Sequence, residues 1–80
     1  MTEAEALSHL RELLRDEFAV PPGKVTRAAS FRGTLGLDSL DVVELIAALE
    51  RRFSVRATLD DYRQLDTVDK LLAFLLARIP

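Results

Sequence analysis

The sequence predicts an all-α domain, a small four-helix bundle of three main helices and one short one. Three observations carry this. Apolar residues recur at steps of three and four in three separate stretches. No stretch alternates apolar and polar residues as a half-buried strand would. Pro21-Pro22-Gly23 stands where the first periodic stretch stops.

The first helix is expected from about Thr2 to Phe18, with Leu7, Leu10, Leu14 and Phe18 on one face and Leu13 beside them. Thr2 with Glu5 fits a capping box. Residues 19 to 37 then read as a long loop, and a loop of that length needs anchors or a function. Val25, Phe31, Leu35 and Leu37 are its apolar residues, and Phe31 is the expected anchor. The second helix is expected from about Ser39 to Phe53. Its core stripe is Val42, Ile46, Leu49 and Phe53, with Leu45 at one side. Thr58 to Arg63 forms a short helical turn with Thr58 and Asp61 as a weak capping pair. The last helix runs from about Thr67 to Arg78, with Asp66 as its cap and Val68, Leu71, Leu72, Leu75, Leu76 and Ile79 as an apolar stripe.

Composition bounds the function. Eighty residues make one domain with a limited core. With 49% hydrophobic and 30% charged residues the body of the chain is globular. Eleven basic against 13 acidic residues argue against nucleic acid as a partner. The absence of cysteine removes disulfides, thiolate chemistry and cysteine zinc sites. His9 is the only histidine, which disfavours a histidine triad or a multi-histidine metal site. "MTEAEALSHL" lacks the basic start and apolar run of a secretory signal. No apolar run reaches the roughly 20 residues that span a bilayer. A cytoplasmic protein without stable membrane insertion is the expectation.

The second helix carries a second apolar row. At about 100° per residue, Leu40, Val43 and Ala47 point away from Val42 and Ile46. Glu44 and Arg51 lie alongside, with Asp41 and Glu50 at the edges. Such a row fits a docking surface for other proteins, or burial of the helix on two sides.

At the mouth of that helix stands "GLDSLD", Gly36 to Asp41. Asp38 or Ser39 suits an N-cap, and Asp41 in the first turn suits the helix dipole. Ser39 as a catalytic nucleophile lacks a nearby base and the G-x-S-x-G elbow, in a chain expected to have no cleft of any size. Ser39 as a point of attachment is exposed, and an anion there meets the positive end of the helix dipole. Cap and attachment point both remain open on the residues alone.

The stretch "LGLDSLDVVELIAALERRF", Leu35 to Phe53, resembles the phosphopantetheine attachment motif and recognition helix of the acyl carrier protein family. "VTRAASF", Val25 to Phe31, and "LDTVDKLLAFL", Leu65 to Leu75, are similar to it in type and spacing, so the likeness runs essentially end to end. The resemblance implies an acyl-carrier-like fold and a carrier, not an enzyme. It implies 4′-phosphopantetheine attached covalently to Ser39 by a phosphopantetheinyl transferase, with Asp38 linked to the magnesium used in the transfer and no stable metal. Acyl groups would ride as thioesters on the arm between acyl-loading and acyl-processing enzymes of ketosynthase, acyltransferase or ligase type. Leu40, Val43 and Ala47, with Asp41, Glu44, Glu50 and Arg51, would form the docking face. Val42, Ile46, Leu49, Leu65 and Leu71 would line an acyl cleft. Tyr62 would either cap that cleft or hydrogen-bond at the surface.

The chain also departs from the family pattern. Arg51 and Arg52 stand where glutamates are typical, Arg32 and Gly33-Thr34 replace a commonly acidic segment, and Thr58 replaces a proline. These departures point to a dedicated carrier in a specialised pathway: polyketide, modified lipid or other natural product. A discrete, monomeric protein is the accompanying expectation. The alternatives are a peptidyl or aminoacyl carrier of a nonribosomal pathway, or an unmodified interaction domain of the same fold. The peptidyl group more often has Gly-Gly before its Asp/His-Ser pair, whereas Leu37-Asp38 is the acyl-carrier form.

Overall fold

One device starts three of the helices. α1 is Glu3–Phe18, α2 is Ser39–Phe53, α3 is Leu59–Gln64 and α4 is Val68–Arg78 in the computed structural model, which describes residues 1–79. Thr2 and Glu5 form a full capping box on α1, with bonds of 2.9 and 3.1 Å. Asp38 and Asp41 do the same on α2, at 2.9 and 3.0 Å. The pair expected to be weak, Thr58 and Asp61, is a complete box on α3, at 3.0 and 3.1 Å. Each box satisfies two backbone donors that the first helical turn leaves free.

α4 differs from expectation. Its cap residue is Thr67, not Asp66, and Thr67 makes no side-chain capping bond. The free donors are met from elsewhere. Val68 N donates to the carbonyl of Ala29 at 3.0 Å, and Asp69 N donates to that of Arg27 at 2.9 Å. With those donors taken, the Asp66 carboxylate is left to Lys70, at 2.9 Å. The Asp66 carbonyl accepts from Phe31 N at 3.1 Å. The long connection is thus stitched onto the start of α4, and a single isolated bridge pairs Ser30 with Thr67.

The connection between α1 and α2 has further ties. A 3-10 turn occupies Pro22–Lys24, and Arg11 Nε donates to the Val25 carbonyl at 3.1 Å. Val25, Phe31, Leu35 and Leu37 are all buried. Phe31 is the anchor, 1% exposed, its ring tilted against Tyr62 at 5.6 Å.

The core joins Leu10, Leu13 and Leu14 of α1 to Leu45 and Leu49 of α2 and Leu71, Leu72 and Leu75 of α4. The inner face of α2 is Val42, Leu45, Ala48, Leu49 and Phe53. Leu45 therefore stands at the centre of the face, and Ile46 is only half-buried at its edge. The two candidate stripes share Val42, Leu49 and Phe53, so periodicity cannot choose between Leu45 and Ile46 as the fourth member. Burial in the shared core chooses Leu45, which is fully buried. Among the described residues no helix is long and apolar enough to cross a membrane.

Candidate functional site

The site is built on a tight turn that precedes α2. Ser30 Oγ accepts from the amides of Gly33 and Thr34, at 2.9 and 3.0 Å. Ser30 N donates to Thr34 Oγ1 at 3.1 Å. A Cβ at position 33 would lie 2.7 Å from Ser30 Oγ, so a side chain there would displace the hydroxyl that caps the turn. Gly36 sits at φ 69°, a region that side chains resist. It swings Leu37 back into the core, where the Leu37 amide donates to the Phe31 carbonyl at 2.9 Å.

This geometry divides the labour in "GLDSLD". Asp38 is the N-cap, and its Oδ1 accepts from Asp41 N. Ser39 is the first residue of the helix and exposed, and its hydroxyl makes no capping bond. Instead Ser39 Oγ accepts from Arg32 Nη2 at 2.9 Å. Among the described residues no carboxylate is ion-paired with Arg32.

Beside Ser39 opens a cavity of about 780 Å³. That is within the usual range for small-molecule sites and corrects the expectation of no cleft. Its walls are Phe31, Leu40, Val42, Val43, Leu59 and Tyr62, and its polar rim includes Ser30, Arg32, Ser39, Arg63 and Asp66. Nucleophilic catalysis still lacks a base. His9 lies edge-on against Phe53, at the far end of α2 from Ser39.

Of the residues expected in an acyl cleft, Val42 and Tyr62 line this cavity. Ile46 and Leu65 are half-buried and outside its wall, while Leu49 and Leu71 are buried in the core, 1% and 0% exposed. Tyr62 does not hydrogen-bond at the surface. It is 6% exposed, and its hydroxyl has no partner among the described residues. Burial pushes its phenol well above the ordinary value. Leu59 and Arg63, not anticipated as site residues, complete the cavity from α3. The one sequence signal for Leu59 was a large apolar residue directly after a capping threonine.

The outer row of α2 is open. Leu40 is 76% and Val43 57% exposed, and Ala47 and Glu44 are exposed beside them. Asp41 is half-buried within its capping box. Further along, charge is already matched within the fold. Arg51 pairs with Glu17 at 2.7 Å, Arg52 with Glu12, and Glu50 with Arg56 at 3.3 Å. Glu44 has no ion-pair partner among the described residues. Among those residues no group of three or more histidine, cysteine or carboxylate side chains gathers as a metal site.

An exposed hydroxyl at a helix N-terminus, next to a guanidinium and an apolar cavity, fits a covalently attached phosphodiester. Comparison with known proteins identifies the family and its cofactor. Residues 8–75 match the family model described as the phosphopantetheine attachment site. A curated acyl carrier protein of Thermosynechococcus vestitus (strain NIES-2133 / IAM M-273 / BP-1) is 40% identical over 75 residues, covering 94% of this chain and 93% of the relative. The chain therefore belongs to the acyl carrier protein family, a carrier with covalently bound 4′-phosphopantetheine and not a catalyst.

Proposed function

We propose that Ser39 is the attachment point, and that the protein carries acyl intermediates between enzymes of a specialised biosynthetic pathway. One observation carries the assignment. Within the matched domain, Ser39 is an exposed hydroxyl at the start of α2, free of capping duty and at the rim of the cavity.

Each neighbouring residue has a task in this reading. The Ser39 hydroxyl loses its proton as Oγ bonds to phosphorus and the nucleotide half of coenzyme A departs. Asp38 spends Oδ1 on the cap, and its other carboxylate oxygen would be the one available to the magnesium used in the transfer. The arm supplies a terminal thiol, which lets a chain without cysteine hold a thioester. Leu40, Val43 and Ala47 dock partner enzymes through apolar contact, and Asp41 and Glu44 add charge complementarity. Glu50 and Arg51 belong to the same face but are already paired within the fold. Cargo shelters first against Val42, Tyr62 and Leu59. Ile46, Leu49, Leu65 and Leu71 are reached only if α2 and α3 part.

The arginines of α2 support a specialised pathway over general fatty acid synthesis. Arg51 and Arg52 bind back to α1, so the second half of the helix offers partners little acidic surface. The cargo class proposed is a polyketide, modified lipid or related acyl chain.

The test is intact mass after co-expression with a broad-specificity phosphopantetheinyl transferase. The wild type should gain the mass of one phosphopantetheinyl group, and Ser39→Ala should gain nothing. A wild type left unmodified by an active transferase overturns the assignment.

A further inference from the structure

We propose that Arg32 is a positioning residue for the prosthetic arm. Its guanidinium, which donates to Ser39 Oγ, binds the phosphodiester formed on that oxygen and holds the root of the arm over the cavity. The proposal rests on Ser39 as the attachment point.

The first support is placement. Nη2 lies 2.9 Å from Ser39 Oγ, the atom that would bear the phosphorus. A cation already within hydrogen-bond reach of an ester oxygen is close to the anionic oxygens two bonds further on, across the phosphorus, and a small rotation of its side chain reaches them. The guanidinium also offers several donors in a planar fork, a geometry that matches phosphate.

The second support is availability. No carboxylate among the described residues pairs with Arg32. Asp38 and Asp41, the nearest acids in sequence, are bound to each other's backbone amides. Their two charges would repel a phosphodiester at residue 39. Arg32 sets a positive charge against that repulsion, directly at the serine oxygen.

Rigidity is the third support. Arg32 follows buried Phe31 and precedes Gly33, whose amide is held by Ser30 Oγ. Its backbone is therefore fixed on both sides, and the side chain need only rotate to follow the phosphate. Because Arg32 and Ser39 rim the same cavity, a phosphate held between them starts the arm along the cavity mouth and not out into solvent.

The experiment compares holo wild type, Arg32→Gln and Arg32→Lys by phosphorus-31 NMR, with amide spectra of each as a check on the fold. The wild-type phosphodiester resonance should be displaced from that of free phosphopantetheine. The displacement should vanish in Arg32→Gln and return in part in Arg32→Lys. It should also shrink toward about 1 M salt, where the Debye length falls to about 3 Å. Coincident phosphorus shifts in wild type and Arg32→Gln, with matching amide spectra, overturn the contact while leaving the attachment reading intact. A wild type that never acquires the arm overturns both.

Discussion

Adjacent residues Asp38 and Ser39 look interchangeable as caps, yet the structure gives one the helix and leaves the other a free hydroxyl. Mutation should separate them. Asp38→Ala removes the acceptor for the Asp41 amide and should cost about 1 kcal/mol of stability, the usual effect of losing an N-cap. Ser39→Ala removes no cap bond and should shift stability by less than about 0.5 kcal/mol, as a surface change does. Urea melts of the two unmodified variants check this. Equal losses would mean that Ser39 shares the cap. The motif was legible in the sequence, but its division of labour was not, because both side chains are chemically able to cap. The Arg32 contact was equally hidden. It joins residues seven apart across a turn whose path depends on Ser30, Gly33 and Gly36 together.

The elements themselves were largely readable. Periodicity and capping pairs act within a few residues, so α1, α2 and α3 fall close to their expected limits. Two errors have one cause. The Asp66 cap fails because distant carbonyls serve α4, and Ile46 falls at the edge of the α2 face because Leu45, expected only beside the stripe, takes the central place in the core. Both outcomes are set by tertiary partners that a local pattern does not contain. The helix ends offer a test of local strain. α2 closes on Ser54 at φ 56°, in the left-handed region without a glycine. The left-handed conformation costs an ordinary residue roughly 1–2 kcal/mol, and glycine gives back part of that in chain entropy. Ser54→Gly should therefore raise stability by about 0.5–1 kcal/mol, visible as a higher midpoint of thermal unfolding. A lower midpoint would show that Ser54 adopts this conformation without strain.

On the scale of the whole molecule, ion pairs and capping boxes tie the elements through carboxylates. The Thr2 backbone amide holds Glu5 below its ordinary pKa, and the Thr58 amide does so for Asp61. Hydrogen bonds from Arg15, Lys70 and Thr67 likewise lower Asp16, Asp66 and Asp69. A folded-state pKa below the unfolded value means that the unfolded chain takes up protons first as pH falls. The stabilisation is complete above the unfolded carboxylate range of about 4 and is lost as pH drops through the lowered values. Urea midpoints should be flat from neutral pH to about 5 and fall steadily toward pH 3. High salt should blunt the part due to exposed ion pairs, which solvent and ions screen. A midpoint unchanged at pH 3 would mean these contacts do not persist in solution. The bundle as a whole was legible because eighty residues with three apolar stripes have few ways to bury them. The cavity was not, because it is a gap between α2, α3 and the preceding loop.

The stitching of that loop onto α4 has a kinetic meaning. The amides of Val68 and Asp69 are protected by carbonyls some forty residues earlier, in the segment that leads to Ser39. They can exchange with solvent hydrogen only when that segment lifts away. Two backbone protons at the start of the last helix thus act as a clock for the opening of the attachment loop.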